Sequence, residues 1–464
     1  MKYFQKKILL LLFSTAVISG SFSQPVATYI PLVNDSIQLL NIKNFIRQHY
    51  RDDSASLTGE NKKYIINIYR ERYQNLADMF AEKELMSSPE ADAYLSALVN
   101  EIFKYNPELK KLGTRFLFSK VYWPNTFSTG EGTIVFNIGL FSKLKNESQA
   151  VFALCHELSH LYLDHGNKAI FQYVNTVYSE DFQQELKDIR KSKYEKNKQL
   201  DKLEKGLVFK SRRHGRQHES EADSMALVFM QRTPFNVKES LSCLALLDEI
   251  DKDNYPVAAG LQRFFNFPEY PFQNKWIKKK EAFFGDIPDK NITTREQDSL
   301  KTHPDCKVRI ARLTPAVEKL SGHAGNDFVV NEALFNALKG AFSFEIIEFC
   351  FNSRRISRCL YYAMELFEKY PDNAYMATMI GKCLNECYSN QKAHTLNRIV
   401  DLPSPYADKN YNDLLEFIQN IGLDDMAAFS YYFLDQYKNK FGKDKDFIFA
   451  LTKSRENFNN RSEK

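Results

Sequence analysis

The chain has 464 residues, typical of two or three domains, and its 44% hydrophobic and 26% charged residues exclude a wholly disordered protein. The low counts of 17 Gly and 15 Pro exclude collagen-like and low-complexity chains and argue against an all-β protein full of tight turns. The formal net charge is +5, of which residues 1–23 supply three lysines and no acid, and the remaining 5 − 3 = +2 gives no electrostatic reason to expect nucleic acid as a partner.

The first residues have the pattern of an export signal. Three lysines among the first seven residues precede an apolar run over Ile8–Ile18, and Ser21–Ser23 supplies small residues for cleavage before Gln24. The apolar run is shorter than the roughly 20 residues that span a bilayer as a helix. We therefore predict that 1–23 is a cleaved signal peptide, that the mature chain is soluble and periplasmic or extracellular, and that it has no integral membrane span.

Apolar periodicity predicts helices and a few short strands after residue 61. A helix is predicted from about Lys62 to Leu85, and Pro89 at the first helical position predicts a second one. Alternating apolar residues over 114–123 indicate a strand. The further predicted elements are short strands at 126–129 and 133–137, a helix over about 148–165, charged helical segments over 170–216, a helix over about 218–231, an irregular segment over 251–302 and a helix after His303-Pro304 that ends near Leu320. The charged run is typical of a solvated helix face, although it would also fit an acidic partner.

Residues 328–464 are predicted to form helix after helix. Residues 360–374 resemble the second half of a tetratricopeptide repeat, with Ala363 at the small packing position and Pro371 after the helix. The match is degenerate and shows no clean repeat period, so a generic helical bundle fits equally well. Four of the seven cysteines fall within 350–387, where both a disulfide and buried free thiols are open, and no C-x-x-C spacing indicates a zinc finger.

Residues 156–160 read HELSH, an H-E-x-x-H motif on a predicted helix. Histidines at i and i+4 lie on one side of a helix, so His156 and His160 can both reach one Zn²⁺ ion. Glu157 lies beside them and can take a proton from a zinc-bound water. The apolar residues around the motif are expected to bury this helix, which suits a rigid, desolvated site. The motif therefore predicts a zinc-dependent hydrolase.

A catalytic zinc site also needs a third protein ligand and one open position. The segment 218–223 offers it, because Glu219 and Asp223 lie one turn apart on one face of a later helix. One carboxylate can bind zinc while the other accepts the ring N–H of a ligand histidine. Taken alone, this acidic cluster is also typical of a charged first helical turn, a reading that the nearby H-E-x-x-H motif makes improbable.

H-E-x-x-H followed by E-x-x-A-D resembles the zinc metalloendopeptidase family that includes the CAAX prenyl protease, the HtpX membrane protease and the periplasmic protease-chaperone BepA. The resemblance covers roughly residues 65–320. The segments that carry it, in family order, are Pro124–Phe127, Gly132–Phe136, Gly139-Leu140, His165, Thr302–Pro304, Arg309-Ile310 and Leu313. Because no transmembrane helix is predicted near the site, the chain resembles the soluble exported branch, which often carries C-terminal tetratricopeptide repeats.

The resemblance implies roles for the motif residues. His156, His160 and Glu219 would bind one zinc ion, and Glu157 would be the catalytic base. Asp223 would orient a ligand histidine from behind.

Three neighbouring residues are predicted to be bystanders. Glu221, two positions after Glu219, points to another side of the helix and is a poor ligand candidate. His165 lies on a different helical face from the second ligand, so a surface or core histidine is expected there, and His218 is expected to play no part.

His303 is a second candidate catalytic residue. It starts a helix from a loop and could stabilise the oxyanion or occupy the open zinc position in a latent state. Arg309 could support it or simply pair with an acid.

The resemblance also implies a fold. We expect a mainly α protein with an α+β, zincin-like catalytic domain containing a small sheet, plus a C-terminal helical-repeat domain. The predicted boundaries are a signal peptide at 1–23, an N-terminal extension at 24–64, a catalytic domain at 65–322 and a helical domain at 328–464.

The predicted function is zinc-dependent endopeptidase activity on exported, misfolded or misassembled proteins of the cell envelope. The polypeptide substrate would add as a strand near Phe127, and the helical domain would bind an envelope partner. The alternative is a non-proteolytic chaperone or partner-binding protein whose zinc site is latent or structural. The intact Glu157 favours the enzyme, and a prenyl-protein substrate fits poorly without a membrane chamber.

Overall fold

The computed structural model describes residues 34–192, 195–249, 255–277, 306–320, 325–404 and 407–460, together with residues 29, 31 and 32. The predicted signal peptide at 1–23 and the candidate His303 lie outside the described residues, so the predictions for both stay predictions.

Helices account for most of the described chain. The α-helices are α1 (Ser36–Ser56), α2 (Lys62–Ala81), α3 (Pro89–Tyr105), α4 (Ile138–Phe141), α5 (Glu147–Tyr162), α6 (His165–Val177), α7 (Glu180–Lys191), α8 (Lys196–Gln231), α9 (Glu239–Glu249), α10 (Val257–Phe265), α11 (Cys306–Leu320), α12 (Glu332–Asn352), α13 (Ile356–Lys369), α14 (Ala374–Lys392), α15 (Lys409–Asn420), α16 (Leu423–Gln436), α17 (Lys438–Phe441) and α18 (Lys445–Asn459). Short 3₁₀ helices span Pro107–Leu112, Asn274–Trp276 and Leu396–Arg398. Among these helices, none has a stretch long and apolar enough to cross a membrane.

Four strands form one small sheet in the order β1-β2-β4-β3. They are β1 (Leu85–Met86), β2 (Arg115–Ser119), β3 (Thr126–Ser128) and β4 (Thr133–Asn137). β2 pairs parallel with β4, so that Phe116 lies opposite Ile134, while β1 and β3 pair antiparallel at the two edges. Every residue of β4 is buried, because neighbouring strands flank it and α5 packs against it. The mainly helical architecture with a small sheet confirms the predicted fold class.

The helix α5 carries the H-E-x-x-H motif and is buried along most of its length. It begins where the Asn146 side chain accepts a hydrogen bond from the backbone N–H of Gln149, an N-cap contact. Its residues from 147 to 159 are all buried. The helix ends before His165, because Asp164 adopts a left-handed conformation with φ of 54° and turns the chain into α6. The predicted helix over about 148–165 therefore ends at Tyr162, and His165 begins the next helix.

The C-terminal helices pack on one another in succession, from α12 through α13 and α14 to α16 and α18. A tetratricopeptide-like repeat stays a prediction. All seven cysteines lie within the described ranges as buried thiols, and none forms a disulfide.

The prediction that 251–302 is irregular is wrong at α10. Val257, Leu261, Phe264 and Phe265 have the spacing of one helical face, and these four side chains are buried. The ring of Phe264 lies 5.8 Å from that of Phe367. The aromatic residues that made this segment look loop-like therefore anchor it to the C-terminal helices.

One apolar core runs through both the sheet-containing part and the C-terminal helices. The ring of Phe141 lies 5.0 Å from that of Phe335 and 5.3 Å from that of Phe342. The backbone N–H groups of residues 329–331 each donate to the buried carboxylate of Glu147 at 2.7 Å. The chain just before α12 is thus fastened to the start of α5, and the domain boundary predicted between 322 and 328 stays a prediction.

Candidate metal centre

Two histidines of α5 face the same point. His156 and His160 lie one turn apart, and their Nε2 atoms are 3.1 Å from each other. The burial of α5 holds both rings in place, since the helix has little freedom to rotate or slide. When both rings lack a proton on Nε2, their two lone pairs can bind one cation.

The helix α8 packs against α5 and brings a carboxylate to the same point. Glu219 Oε2 lies 3.4 Å from Nε2 of His156, and Glu219 Oε1 lies 3.4 Å from Nε2 of His160. One ligand atom from each residue can be chosen so that all three lie within 4.8 Å of one another. Two imidazoles and one carboxylate are a donor set typical of catalytic zinc sites, which leave a fourth position open. The residues present therefore fit a zinc ion.

Asp223 contacts the far side of the His156 ring. Its Oδ1 lies 3.0 Å from His156 Nδ1, and both side chains are buried. Arg309, from α11, donates from Nε to Asp223 Oδ2 at 2.7 Å and from Nη2 to Asp223 Oδ1 at 2.5 Å. A carboxylate that accepts the Nδ1 proton leaves the Nε2 lone pair of His156 directed at the metal position. Arg309 in turn fixes that carboxylate with a two-pronged contact.

The electrostatics of the cluster favour a cation between the ligands. Burial alone would lower the pKa of His156, but its hydrogen bonds to Asp223 and Glu219 outweigh burial and raise the pKa to about 10. Burial would likewise raise the pKa of Asp223, but Arg309 and His156 hold it below its usual range. The site therefore favours the ionised form of Asp223 and attracts positive charge to His156, which a proton or a metal ion can supply.

Glu157 follows the first ligand on α5 and is 4% exposed. A buried carboxylate beside a two-histidine, one-carboxylate cluster is the arrangement that a general base needs if it is to act on a water near the cluster. The structure thus brings together the predicted ligands His156, His160 and Glu219, with Asp223 and Arg309 behind them, and buries Glu157, which follows His156 in the sequence.

His165 is placed where the sequence reasoning did not expect it. Its Nδ1 lies 3.0 Å from Nδ1 of His160, and its Nε2 lies 3.1 Å from Glu221 Oε2. The ring also stacks on that of His218, with centroids 4.2 Å apart. Burial and the neighbouring rings of His160 and His218 lower the pKa of His165 to about 4.

The reason for this difference is the break at Asp164. In one continuous helix, position 165 would point away from position 160, whereas the left-handed residue turns the His165 ring back onto the ligand. Glu221 does point to another side of α8 than Glu219, as expected, and meets His165 there. The turn-favouring Asp164, two residues before Gly166, was the available signal that the helix stops.

A cleft of about 520 Å³ opens beside the cluster. Glu219, Arg309 and Arg312 line it together with Val308, whose side chain is exposed. The edge strand β3 also packs against α5, with Phe127 opposite Val135 of β4. The site therefore adjoins both an open cleft and a sheet edge.

Residues 89–317 match the model of peptidase family M48. The matched range includes the strands β2, β3 and β4, the helices α5 and α8, and Arg309. The match supports a zinc metalloprotease family for this part of the chain and a peptidase activity. No curated protein matches the chain closely enough to be counted as a relative.

Proposed function

We propose that this protein is a zinc-dependent endopeptidase, of the kind that the CAAX prenyl protease, HtpX and BepA represent. The observation that carries the proposal is the convergence of His156, His160 and Glu219 with the buried Glu157 beside them. The match to peptidase family M48 over the same residues supports it independently.

Each residue of the site has a separate role in the proposed reaction. His156, His160 and Glu219 would hold the zinc ion, whose contribution when bound is Lewis-acid activation of a carbonyl and a water. Glu157 takes a proton from the attacking water and later delivers it to the leaving amine. Asp223 keeps His156 in the tautomer that leaves Nε2 available, and Arg309 holds Asp223.

The substrate is proposed to bind as an extended polypeptide along β3. This strand pairs with β4 on one side and stands at the edge of the sheet, so its other side can pair with an added strand. Main-chain hydrogen bonds of this kind select extended chains over folded ones, which suits unfolded or misassembled proteins as substrates.

The location and partner of the enzyme are further parts of the proposal. The basic and apolar pattern of residues 1–23 supports export to the periplasm or beyond. We propose that an envelope partner binds the C-terminal helices where Phe449 of α18 is exposed.

Cleavage of casein by the purified, zinc-loaded protein tests the activity. Glu157→Gln keeps the shape of the side chain and removes the base, so we expect it to retain zinc and to lower the rate by about 10²–10⁴-fold. Glu101→Gln, which changes a partly exposed glutamate of α3 paired with Lys104, is the matched control and should cleave like the wild type. A zinc-loaded wild type that cleaves no unfolded polypeptide would favour the non-proteolytic alternative.

A further inference from the structure

The two candidate ligand histidines are supported from behind in different ways. Nδ1 of His156 faces the carboxylate of Asp223, the usual partner of a metal-binding histidine. Nδ1 of His160 faces another imidazole, that of His165, at 3.0 Å. An imidazole thus stands behind His160 where a carboxylate stands behind His156.

The hydrogen bonds from His160 through His165 to Glu221 determine which ring nitrogens carry protons. Nε2 of His160 is the atom near Glu219 and His156, so it supplies the lone pair and the proton of that ring lies on Nδ1. This Nδ1–H can donate to His165 only if Nδ1 of His165 is unprotonated. The proton of His165 then lies on Nε2, where it donates to Glu221 Oε2 at 3.1 Å.

The surroundings of His165 hold it in that orientation. The residue is 3% exposed, and its ring stacks on His218 with an angle of 8° between the planes. Glu221 is itself fixed, because Gln217 donates to its Oε1 at 2.9 Å. His160 thus donates to His165, His165 donates to Glu221, and the Glu221 carboxylate accepts from both His165 and Gln217.

We propose that His165 is the positioning residue of His160. Its Nδ1 accepts the hydrogen bond of His160 Nδ1–H while its own Nε2–H is held by Glu221, and this keeps Nε2 of His160 directed at the metal. This inference rests on the proposed zinc site. It makes His165 and Glu221 the counterpart of Asp223 and Arg309, with one supporting pair for each ligand histidine.

Zinc affinity, measured by competition with a fluorescent chelator, tests the proposal apart from activity. His165→Leu removes both hydrogen bonds and should raise the dissociation constant for zinc by about 10–100-fold. His165→Gln restores an acceptor and a donor, so its affinity should lie within about threefold of the wild type. His49→Leu, a change of a partly buried histidine that stacks on Phe45 of α1, is the control and should bind zinc like the wild type.

If His165 served only to stabilise the fold, its loss would lower stability but would not change which nitrogen of His160 carries the proton. To separate the two roles, thermal unfolding of the metal-free proteins is compared, and we expect similar midpoints for the wild type and His165→Gln. In the zinc-loaded wild type, ¹⁵N NMR of the histidine rings should show the proton of His165 on Nε2 and that of His160 on Nδ1. If His165→Leu does not fold, the NMR measurement decides by itself.

Two results would overturn the inference while leaving the proposed function intact: a folded His165→Leu with the zinc affinity of the wild type, or a proton on Nδ1 of His165. A wild-type protein that binds no zinc would overturn both the proposed function and this inference. A protein that binds zinc with the expected tautomers but cleaves no polypeptide would overturn the activity alone.

Discussion

The sheet-containing part of the molecule and the C-terminal helices both bury polar side chains, but they use them differently. Behind the candidate metal centre, the charged pair Asp223 and Arg309 is buried and directed at His156. In the C-terminal helices, Asn385 accepts hydrogen bonds from Ser430 and Ser454, all three neutral and buried.

The difference follows from what each cluster has to do. Buried charges are costly unless they are paired or hydrogen-bonded, as Glu147 is by three backbone N–H groups, and beside the two histidines such charges can also hold a cation. Neutral amide and hydroxyl groups cost less and can fix how helices pack against one another. The charged pair beside His156 is therefore placed to support a metal site, whereas the neutral cluster around Asn385 serves packing.

The two regions are nevertheless joined at Glu147 and Phe141. A chain that ends at Asp327 would remove Phe335 and Phe342 from the ring of Phe141 and the three backbone donors from Glu147. Because the loss of even one buried phenylalanine ring costs about 3–5 kcal/mol, we expect this shortened chain to aggregate or to lack zinc. The sequence alone had predicted a separable domain.

Size-exclusion chromatography and zinc analysis of the shortened chain check this expectation. A chain ending at Asn459, which lacks only the last five residues, serves as the control and should behave like the full protein. A soluble, monomeric chain ending at Asp327 with one zinc ion would show that the two regions are independent.

Arg309→Met should have the next largest effect. It leaves the buried carboxylate of Asp223 without its charged partner, and breaking such a pair lowers the free energy of unfolding by about 3–5 kcal/mol. The surface pair of Arg263 and Glu368 offers a matched control, since Arg263→Met should cost about 0–1 kcal/mol. Urea unfolding measures both, and equal losses would show that burial of the pair has no special weight.

Asn385→Ala should have a smaller effect that is confined to the C-terminal helices. The variant leaves Ser430 and Ser454 without their shared acceptor and should lower the free energy of unfolding by about 1–3 kcal/mol. Zinc content should stay at the wild-type level. Asn352→Ala, which removes an exposed hydrogen bond to Glu348, is the control and should lower the free energy of unfolding by less. Loss of zinc in Asn385→Ala would mean that the neutral cluster and the metal centre are coupled.

Sequence reasoning could group the candidate ligands because their geometry is local. His156 and His160 lie one turn apart on one helix, and Glu219 precedes Asp223 by one turn on another, so helical periodicity alone predicts which of them share a face. The pairing of Arg309 with Asp223 depends on how α11 packs against α8, which periodicity does not contain.

The contact of His165 with His160 was missed for a different reason. A single left-handed residue, Asp164, turns His165 onto His160, and one residue of altered backbone is invisible to a pattern that spans several turns. The buried face of α10 was missed because its phenylalanines also fit a loop rich in aromatic residues and proline.

Zinc content by mass spectrometry of the wild type, Glu219→Ala and Glu221→Ala tests the central assignment most directly. The two glutamates lie two residues apart on α8, so the variants differ only in which side of the helix loses its carboxylate. The account predicts about one zinc ion per chain in the wild type and in Glu221→Ala, and none in Glu219→Ala. Zinc that is lost from Glu221→Ala and retained by Glu219→Ala would contradict the proposed ligand set.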